Sequence, residues 1–212
     1  MGRDNLYTYI LEFNLRFAGG EAEEYLSGAV RAWPRLWGEI PGVTGTLLMS
    51  SAFGLGGEFG YQWRVDFERL STLARIDEAL KSDEQSSRRI VREWFEARSA
   101  IRSRVSRHLA GSDSYDLERG GTDGAIHFVF QTGRGGGDRV SGLLETARSA
   151  SGVLAAQAHR TELGTAPAQE QLWLRLQGLE SLDTVADLDL GAGYGEIFGE
   201  IREVDGSLFS GA

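Results

Sequence analysis

The chain has 212 residues, 41% hydrophobic and 25% charged, a globular composition with room for one large domain or two of about 100 residues each. A formal net charge of −9 and no cysteine disfavour a nucleic-acid partner and exclude a disulfide framework, a thiolate metal site and a cysteine nucleophile, and they fit a reducing cytoplasm. The opening MGRDNLYTYILEF lacks an apolar signal-peptide core and no apolar run reaches the roughly 18 residues of a membrane span, so neither a leader nor a membrane partner is expected.

Residues 6–17, LYTYILEFNLRF, alternate apolar and polar side chains and predict a strand. GGEAEEYLSGAVRAWPRLWGEI follows with acids at its start and apolar residues at helical spacing, which predicts a helix whose first-turn charge suits the dipole. PGVTGTLLMSSAF and FGYQWRVDFE predict two further strands around the turn GLGGE. LSTLARIDEALKSDE begins a second helical region. It is continued by RRIVREWFEARSAIRSRVSRH, residues 88–108, whose Val91, Trp94, Phe95, Ile101 and Val105, with Leu109 beyond, recur at helical spacing. That segment reads as a long arginine-rich amphipathic helix with a solvated basic face, or as an anion or partner site, with His108 at its surface end.

The second half repeats the order. AIHFVFQT predicts a strand, DRVSGLLETARSA a helix, GVLAAQAHRTEL and QLWLRLQ two strands around the turn GTAPAQ, and LESLDTVADL a short helix. A last strand is expected within GAGYGEIFGEIREVDGSLFSGA. Aligned without gaps, YQWRVDF and LWLRLQG set Arg64 on Arg175 and Asp66 on Gln177. Two β-α-β-β-α units are thus expected, one over residues 1–120 and one over 121–212.

The glycine-rich turn GRGGGD after the second half's first strand lacks the third glycine of a dinucleotide fingerprint, Asp138 standing in its place, and has no phosphate-loop lysine. The matching turn in the first half carries Glu21, Glu23 and Glu24, which would repel a phosphate. Arg134 and Arg139 could draw an anion to it, but the segment reads as a β-to-α connector.

This layout resembles the tandem ferredoxin-like arrangement of the dimeric α+β barrel superfamily, which includes antibiotic-biosynthesis-monooxygenase-like, EthD-like and NIPSNAP-like families. WRVDFERLSTLARIDEALKSDE carries the nearest likeness. The resemblance implies an α+β fold in which two tandem repeats close one barrel within the chain, helices outside and a ligand cavity within. It also implies secondary metabolism, such as antibiotic biosynthesis. A monomer is then as plausible as a homodimer.

Alternation assigns the faces. Leu11, Phe13, Leu15 and Phe17 oppose Ile10, Glu12 and Asn14; Tyr61, Trp63, Val65 and Phe67 oppose Gln62, Arg64 and Asp66; Ile126, Phe128 and Phe130 oppose His127, Val129 and Gln131. Leu154, Ala156 and Ala158 oppose Gln157 and His159, and Leu172, Leu174 and Leu176 oppose Trp173, Arg175 and Gln177. If the apolar faces pack under helices, the barrel interior receives Glu12, Asn14, Gln62, Arg64, Asp66, His127, Gln131, Gln157, His159, Trp173 and Arg175, a set that is costly to bury unless hydrated, paired or occupied. The same alternation would follow if these faces met water, with Glu12, Arg64 and Asp66 as a structural ion-pair cluster.

Three function classes follow, the last a structural partner in a biosynthetic complex that uses the arginine-rich helix. In the first, resemblance implies a cofactor-independent tailoring enzyme for oxygenation, cyclisation or isomerisation of an aromatic or polyketide-like molecule. His127 or His159 would be general base, Arg175 or Arg64 would stabilise the resulting enolate or phenolate, and Trp173 would hold the ring beside the other polar interior residues. In the second, the barrel is a non-catalytic binding or carrier module. No metal is expected, since no helical histidine spacing exists, although His127, His159, Glu12 and Asp66 offer N and O donors. Haem ligation through a histidine occurs in relatives of this superfold, and no pattern here points to it.

Overall fold

The strand patterns resolve into one closed eight-stranded antiparallel barrel. A computed structural model describes residues 6–81, 85–113, 125–132, 137–164 and 170–201. The first repeat contains β1 (Tyr7–Leu15), α1 (Gly20–Gly38), β2 (Val43–Ser51), β3 (Tyr61–Phe67), α2 (Thr72–Leu80), α3 (Gln85–Ala97) and β4 (Arg98–His108). The second contains β5 (Ile126–Thr132), α4 (Gly137–Ser149), β6 (Val153–Gly164), β7 (Glu170–Leu176), a 3-10 turn at Leu179–Ser181, α5 (Leu182–Ala186) and β8 (Tyr194–Ile201). The circular order is β1-β3-β2-β8-β5-β7-β6-β4. Each repeat keeps the ferredoxin-like order, fourth strand–first–third–second. The last strand of each repeat pairs with the second strand of the other, β4 with β6 and β8 with β2. Closure is therefore intramolecular. The glycine-rich connector falls on residues 133–136 and the turn GTAPAQ mostly on 165–169, both outside the described residues, as is the expected repeat boundary at 120/121.

The strand faces follow the sequence alternation because each strand must cover a helix-side core with every second residue. Under α1–α3 the outer faces of β1 and β3 supply Leu11, Phe13, Trp63 and Val65, packed on Leu26, Trp33, Trp37 and Trp94. Helix α1 delivers Ala22, Leu26, Ala29, Trp33 and Leu36 as one buried stripe, with Glu21 and Glu23 in its first turn and Arg35 in its last. The second repeat packs Ile126, Phe130, Ala156, Leu172 and Leu174 under Val140, Leu144 and Ala147 of α4. A third apolar cluster lies inside the barrel: Ile10, Leu47, Met49, Val129, Trp173 and Phe198.

Four expectations are corrected. The arginine-rich segment is not one helix: α3 ends at Ala97 and β4 begins at Arg98, pairing with β1 from Tyr7 opposite Arg107 to Leu15 opposite Arg98. The first repeat needs a fourth strand, and residues 102–108 alternate as well as they spiral. Arg102, Arg104, Ser106 and His108 turn inward, while Ile101, counted on the helix's apolar stripe, is 49% exposed and Phe95 in α3 is 58% exposed. His108 accordingly belongs to the barrel interior. Leu154 does not share the face of Ala156: a register shift between Val153 and Ala155 turns it outward, leaving Val153 packed on the core. Finally, ladder positions equate Arg64 with Trp173 and Asp66 with Arg175, two residues from the ungapped alignment, since Ile10 opposite Arg64 matches Val129 opposite Trp173.

The repeat extends to its turns. Gly42, before β2, and Gly152, before β6, have φ of +94° and +78°, and each sits against the helical turn that follows β3 or β7, at Thr72 and Ser181 respectively. A Cβ at Gly152 would meet both the left-handed backbone penalty and the Ser181 side chain. Gly152→Ala is expected to lower stability by roughly 1–2 kcal/mol, read as a lower urea midpoint with unchanged slope. Among the described residues no helix is long and apolar enough to cross a membrane.

Candidate functional site

Barrel closure turns the polar faces into a buried interior arranged around its apolar cluster. On one flank Glu12 of β1 accepts from Arg102 Nε at 2.5 Å and Arg104 Nη1 at 2.7 Å, both from β4, and from Gln62 Nε2 of β3 at 3.3 Å. Burial pushes the Glu12 carboxyl up, but Arg104 and Arg102 outweigh it and hold the group below its ordinary range. Arg102 leans over the Phe59 ring, 4.8 Å from its centre, in the β2–β3 loop. Close by, Gln131 of β5 donates to Glu196 of β8, and Gln171 Nε2 and the Tyr194 hydroxyl donate to Gln131 Oε1 at 3.2 and 3.0 Å. Burial and the charge of Glu12 push Glu196 up to about 7.

At the centre Arg64 of β3 makes a two-point ion pair with Asp66, at 2.9 and 2.8 Å, and donates to Gln157 Oε1 of β6 at 2.7 Å. Its guanidinium lies 5.0 Å from the Trp173 ring centre. Asp66 stays below the usual carboxylate range because Arg64 and the Thr8 hydroxyl overcome its burial.

Two hydrogen-bond chains fix histidine tautomers. Thr8 gives its single proton to Asp66 at 2.6 Å, so His108 Nε2, 2.7 Å from Thr8 Oγ1, is the donor. Gln157 donates its amide to Asp113 O at 2.7 Å, so the Oε1 facing His159 Nε2 at 3.1 Å accepts, and His159 also carries its proton on Nε2. The His108 and His159 rings stack at 4.3 Å and His159 stacks on Trp173 at 5.6 Å. Elsewhere His127 Nε2 lies 2.8 Å from Glu200 Oε1, which also accepts from Arg175 Nε at 2.8 Å. Burial drives all three imidazoles below the ordinary value, His108 to about 4 and His159 well below it, with the neighbouring His108 adding to the effect of burial on His159.

The sequence-assigned residues Glu12, Gln62, Arg64, Asp66, His127, Gln131, Gln157, His159, Trp173 and Arg175 are all buried on strands that line this interior. Asn14 is not part of it. A register shift between Phe13 and Leu15 breaks the alternation, and Asn14 instead accepts from Gly60 N at 2.6 Å and donates to Glu58 O at 3.3 Å, fastening the β2–β3 loop. Sequence reading missed Thr8, Arg102, Arg104, Ser106, His108, Gln171, Glu196 and Glu200. The period-two run in RSRVSRH and the alternation Glu196, Phe198, Glu200 in GEIFGEI are the signals that carry most of them.

The seam between β4 and β6 differs from the rest of the interior. Arg104 Nε and Nη2, Ser106 Oγ, His108 Nδ1, His159 Nδ1 and Thr161 Oγ1 are buried there without a protein partner among the described residues. Ser106 and Thr161 are opposite each other in the ladder, as are His108 and His159. Native interiors satisfy the great majority of such groups, so this concentration marks a place for water or a polar guest. Among the described residues no three His, Asp or Glu side chains are placed to hold a metal. The histidines commit Nε2 to Thr8, Glu200 and Gln157, so none offers that nitrogen as an axial ligand. On the outer surface a groove of about 730 Å³ between α1 and α3 carries Glu21, Glu24, Arg89 and Glu93 on its walls. There the arginines of α3 form exposed pairs, Arg89 with Glu93 and Arg92 with Glu96.

No family model and no curated protein matches the chain. Solved structures do. An anthrone oxidase-like protein aligns over 93% of this chain and 92% of its own at 12% identity, with a TM-score of 0.60. A candidate monooxygenase from Fusobacterium nucleatum aligns over 93% of each chain at 10% identity and TM-score 0.65. A candidate chlorite dismutase aligns over 98% of each at 12% identity and TM-score 0.58. What is shared is the fold, a closed barrel of two tandem ferredoxin-like repeats.

Proposed function

We propose that the chain is a small-molecule tailoring enzyme acting inside the barrel, with His159 as general base. The observation that carries this reading is the fixed tautomer of His159: its Nε2 proton is held by Gln157, and its Nδ1 lone pair has no protein partner among the described residues, on the seam rich in unspent polar atoms. A base needs a free lone pair, shelter from bulk solvent and an orienting partner, and His159 has the first and third from Gln157 and the second from complete burial. Ser106 and Thr161, on the same seam, supply unspent hydroxyls for a developing enolate or phenolate. Arg64 and Arg175 act as positioning residues, the first through Gln157 and the second through Glu200, which holds His127.

The anthrone oxidase-like neighbour suggests a test substrate. Removal of the C10 proton of anthrone by His159 gives an anthrolate, which dioxygen oxidises: anthrone and O2 yield anthraquinone and water, with both oxidant and oxygen source named. Turnover followed by absorbance and mass spectrometry should fall at least about 100-fold in His127→Gln/His159→Gln, and by most of that in His159→Gln alone, with the folded spectrum retained. An unaltered rate in the double variant would sink the mechanism. A second reading, a non-catalytic binding or carrier protein, is favoured by the strong depression of His159, which makes it a weak base before a ligand arrives. Stoichiometric ligand binding without product identifies that case.

A further inference from the structure

We infer that the barrel takes its ligand by a carboxylate, seated on the Nε–Nη2 edge of Arg104, and that binding places a proton on Glu196. The inference rests on the reading of the interior as a ligand site and names the chemistry of what enters it. Arg104 is 1% exposed and, among the described residues, spends only Nη1, on Glu12 at 2.7 Å. The unspent atoms are Nε and Nη2. In a guanidinium these two N–H groups run parallel along one edge, the spacing that matches the two oxygens of a carboxylate. A lone hydroxyl or carbonyl would satisfy one of them and leave the other buried and unpaired. Ser106 and Thr161 supply hydroxyls on the same seam, and the stacked rings of His108, His159 and Trp173 supply a flat face for an unsaturated body.

The charges explain why the guest carries one negative charge and why a proton follows it. Among the described residues, the interior holds the cations Arg64, Arg102, Arg104 and Arg175 and the carboxyls Glu12, Asp66, Glu196 and Glu200, with its three histidines neutral. Asp66 matches Arg64 and Glu200 matches Arg175, so Glu12 and Glu196 together face Arg102 and Arg104. Arg104 stands opposite Ile10 of β1, and Glu196 holds the equivalent place opposite Val129 of β5, so the two reach inward from corresponding strands of the two repeats. The groups facing Glu196 are Gln131 of β5, Glu12 of β1, Arg102 and Arg104 of β4, and the backbone of Gly57 in the β2–β3 loop. A ligand carboxylate on Arg104 adds a negative charge to this group and weakens the pull of Arg104 on Glu196. Glu196 already titrates at about 7, so it is the carboxyl that takes up a proton when the anion arrives. The affinity for the anion is then constant below that range and falls as pH rises through it, approaching tenfold per pH unit for one linked proton.

Isothermal titration of the intact protein with 1-naphthoate and benzoate, and with the corresponding neutral amides, tests this without any need for turnover. The acids are expected to bind at least about tenfold more tightly than the amides at pH 6, with up to one proton taken up per ligand near pH 8, counted from buffers of different ionisation enthalpy. Arg104→Gln should abolish the preference for acid over amide. Glu196→Gln should keep that preference, bind the acid with pH-independent affinity and take up no proton. Equal binding of acid and amide by the wild type, or binding of neither, overturns the carboxylate, and undiminished proton uptake in Glu196→Gln overturns the role of that residue. If Arg104→Gln fails to fold, the wild-type acid-to-amide ratio and the Glu196→Gln profile still decide. Loss of the acid preference with retained His159-dependent turnover, or the reverse, separates failure of this inference from failure of the catalytic reading.

Discussion

Glu12→Gln is expected to destabilise the protein by roughly 3–5 kcal/mol at pH 7, read as a fall in the urea midpoint with little change in slope. Glu12 is 1% exposed and is the common acceptor of Arg102 and Arg104. The amide keeps the shape and a hydrogen-bonding oxygen but removes the charge, and most of the loss comes from Arg104, which is enclosed and cannot reach water. Arg102 is partly exposed and leans on Phe59, so it can turn outward and contributes less. The cause can be separated from loss of packing by adding Arg104→Met. Removing the stranded cation should recover more than half of the stability lost in Glu12→Gln, giving a strongly non-additive cycle. A loss below about 1 kcal/mol in the single variant would show that the Glu12 cluster is solvated rather than dry.

The same cluster shows what the sequence could and could not disclose. Strand alternation placed Glu12, Gln62, Arg64 and Asp66 on one face, because each of β1 and β3 must devote its other face to the tryptophan-rich core beneath α1. It could not say whether that face met water or the inside of a barrel, since both arrangements produce the same period of two. Closure decides it, and closure depends on β4 and β8 crossing to the opposite repeat. β4 was hidden because EWFEARSAIRSRVSRH contains no glycine or proline to mark the end of the helix, and its valine and isoleucine fit spacings of four as well as two. With β4 misread, the partners of Glu12 and the place of His108 were lost together. Asn14 failed for another reason: a one-residue register shift is invisible to periodicity, yet it moved the side chain from the interior to the loop. The pairing of His127 with Glu200, 73 residues apart, needed the fold itself.

Acidification is expected to destabilise the protein between about pH 6.5 and pH 4. An unfolded histidine takes up its proton near pH 6.5, whereas folded His108 resists until about 4 because burial penalises the charged ring. Over that window the unfolded chain binds more protons, so stability rises with pH and is lost as pH falls. His108 alone accounts for roughly 3 kcal/mol, and His127 and His159, also held below the ordinary value, act in the same direction. Glu196 acts in the opposite direction: it keeps its proton in the folded state up to about 7, so its own contribution declines as pH rises from about 4.5 through 7 and offsets about one histidine. Asp66 and Glu12 are held below their ordinary ranges, so the stability they confer is lost only at the acid end of the series. Urea titrations from pH 4.5 to 8 should therefore show a falling midpoint on acidification in the wild type. The slope should steepen in Glu196→Gln, because the opposing group is gone, and that variant should gain on the wild type at pH 8 but not at pH 5. A flat profile in both proteins would mean that the imidazoles are hydrated or charged in the folded state. That outcome would remove the dry, neutral interior on which a base at His159 depends.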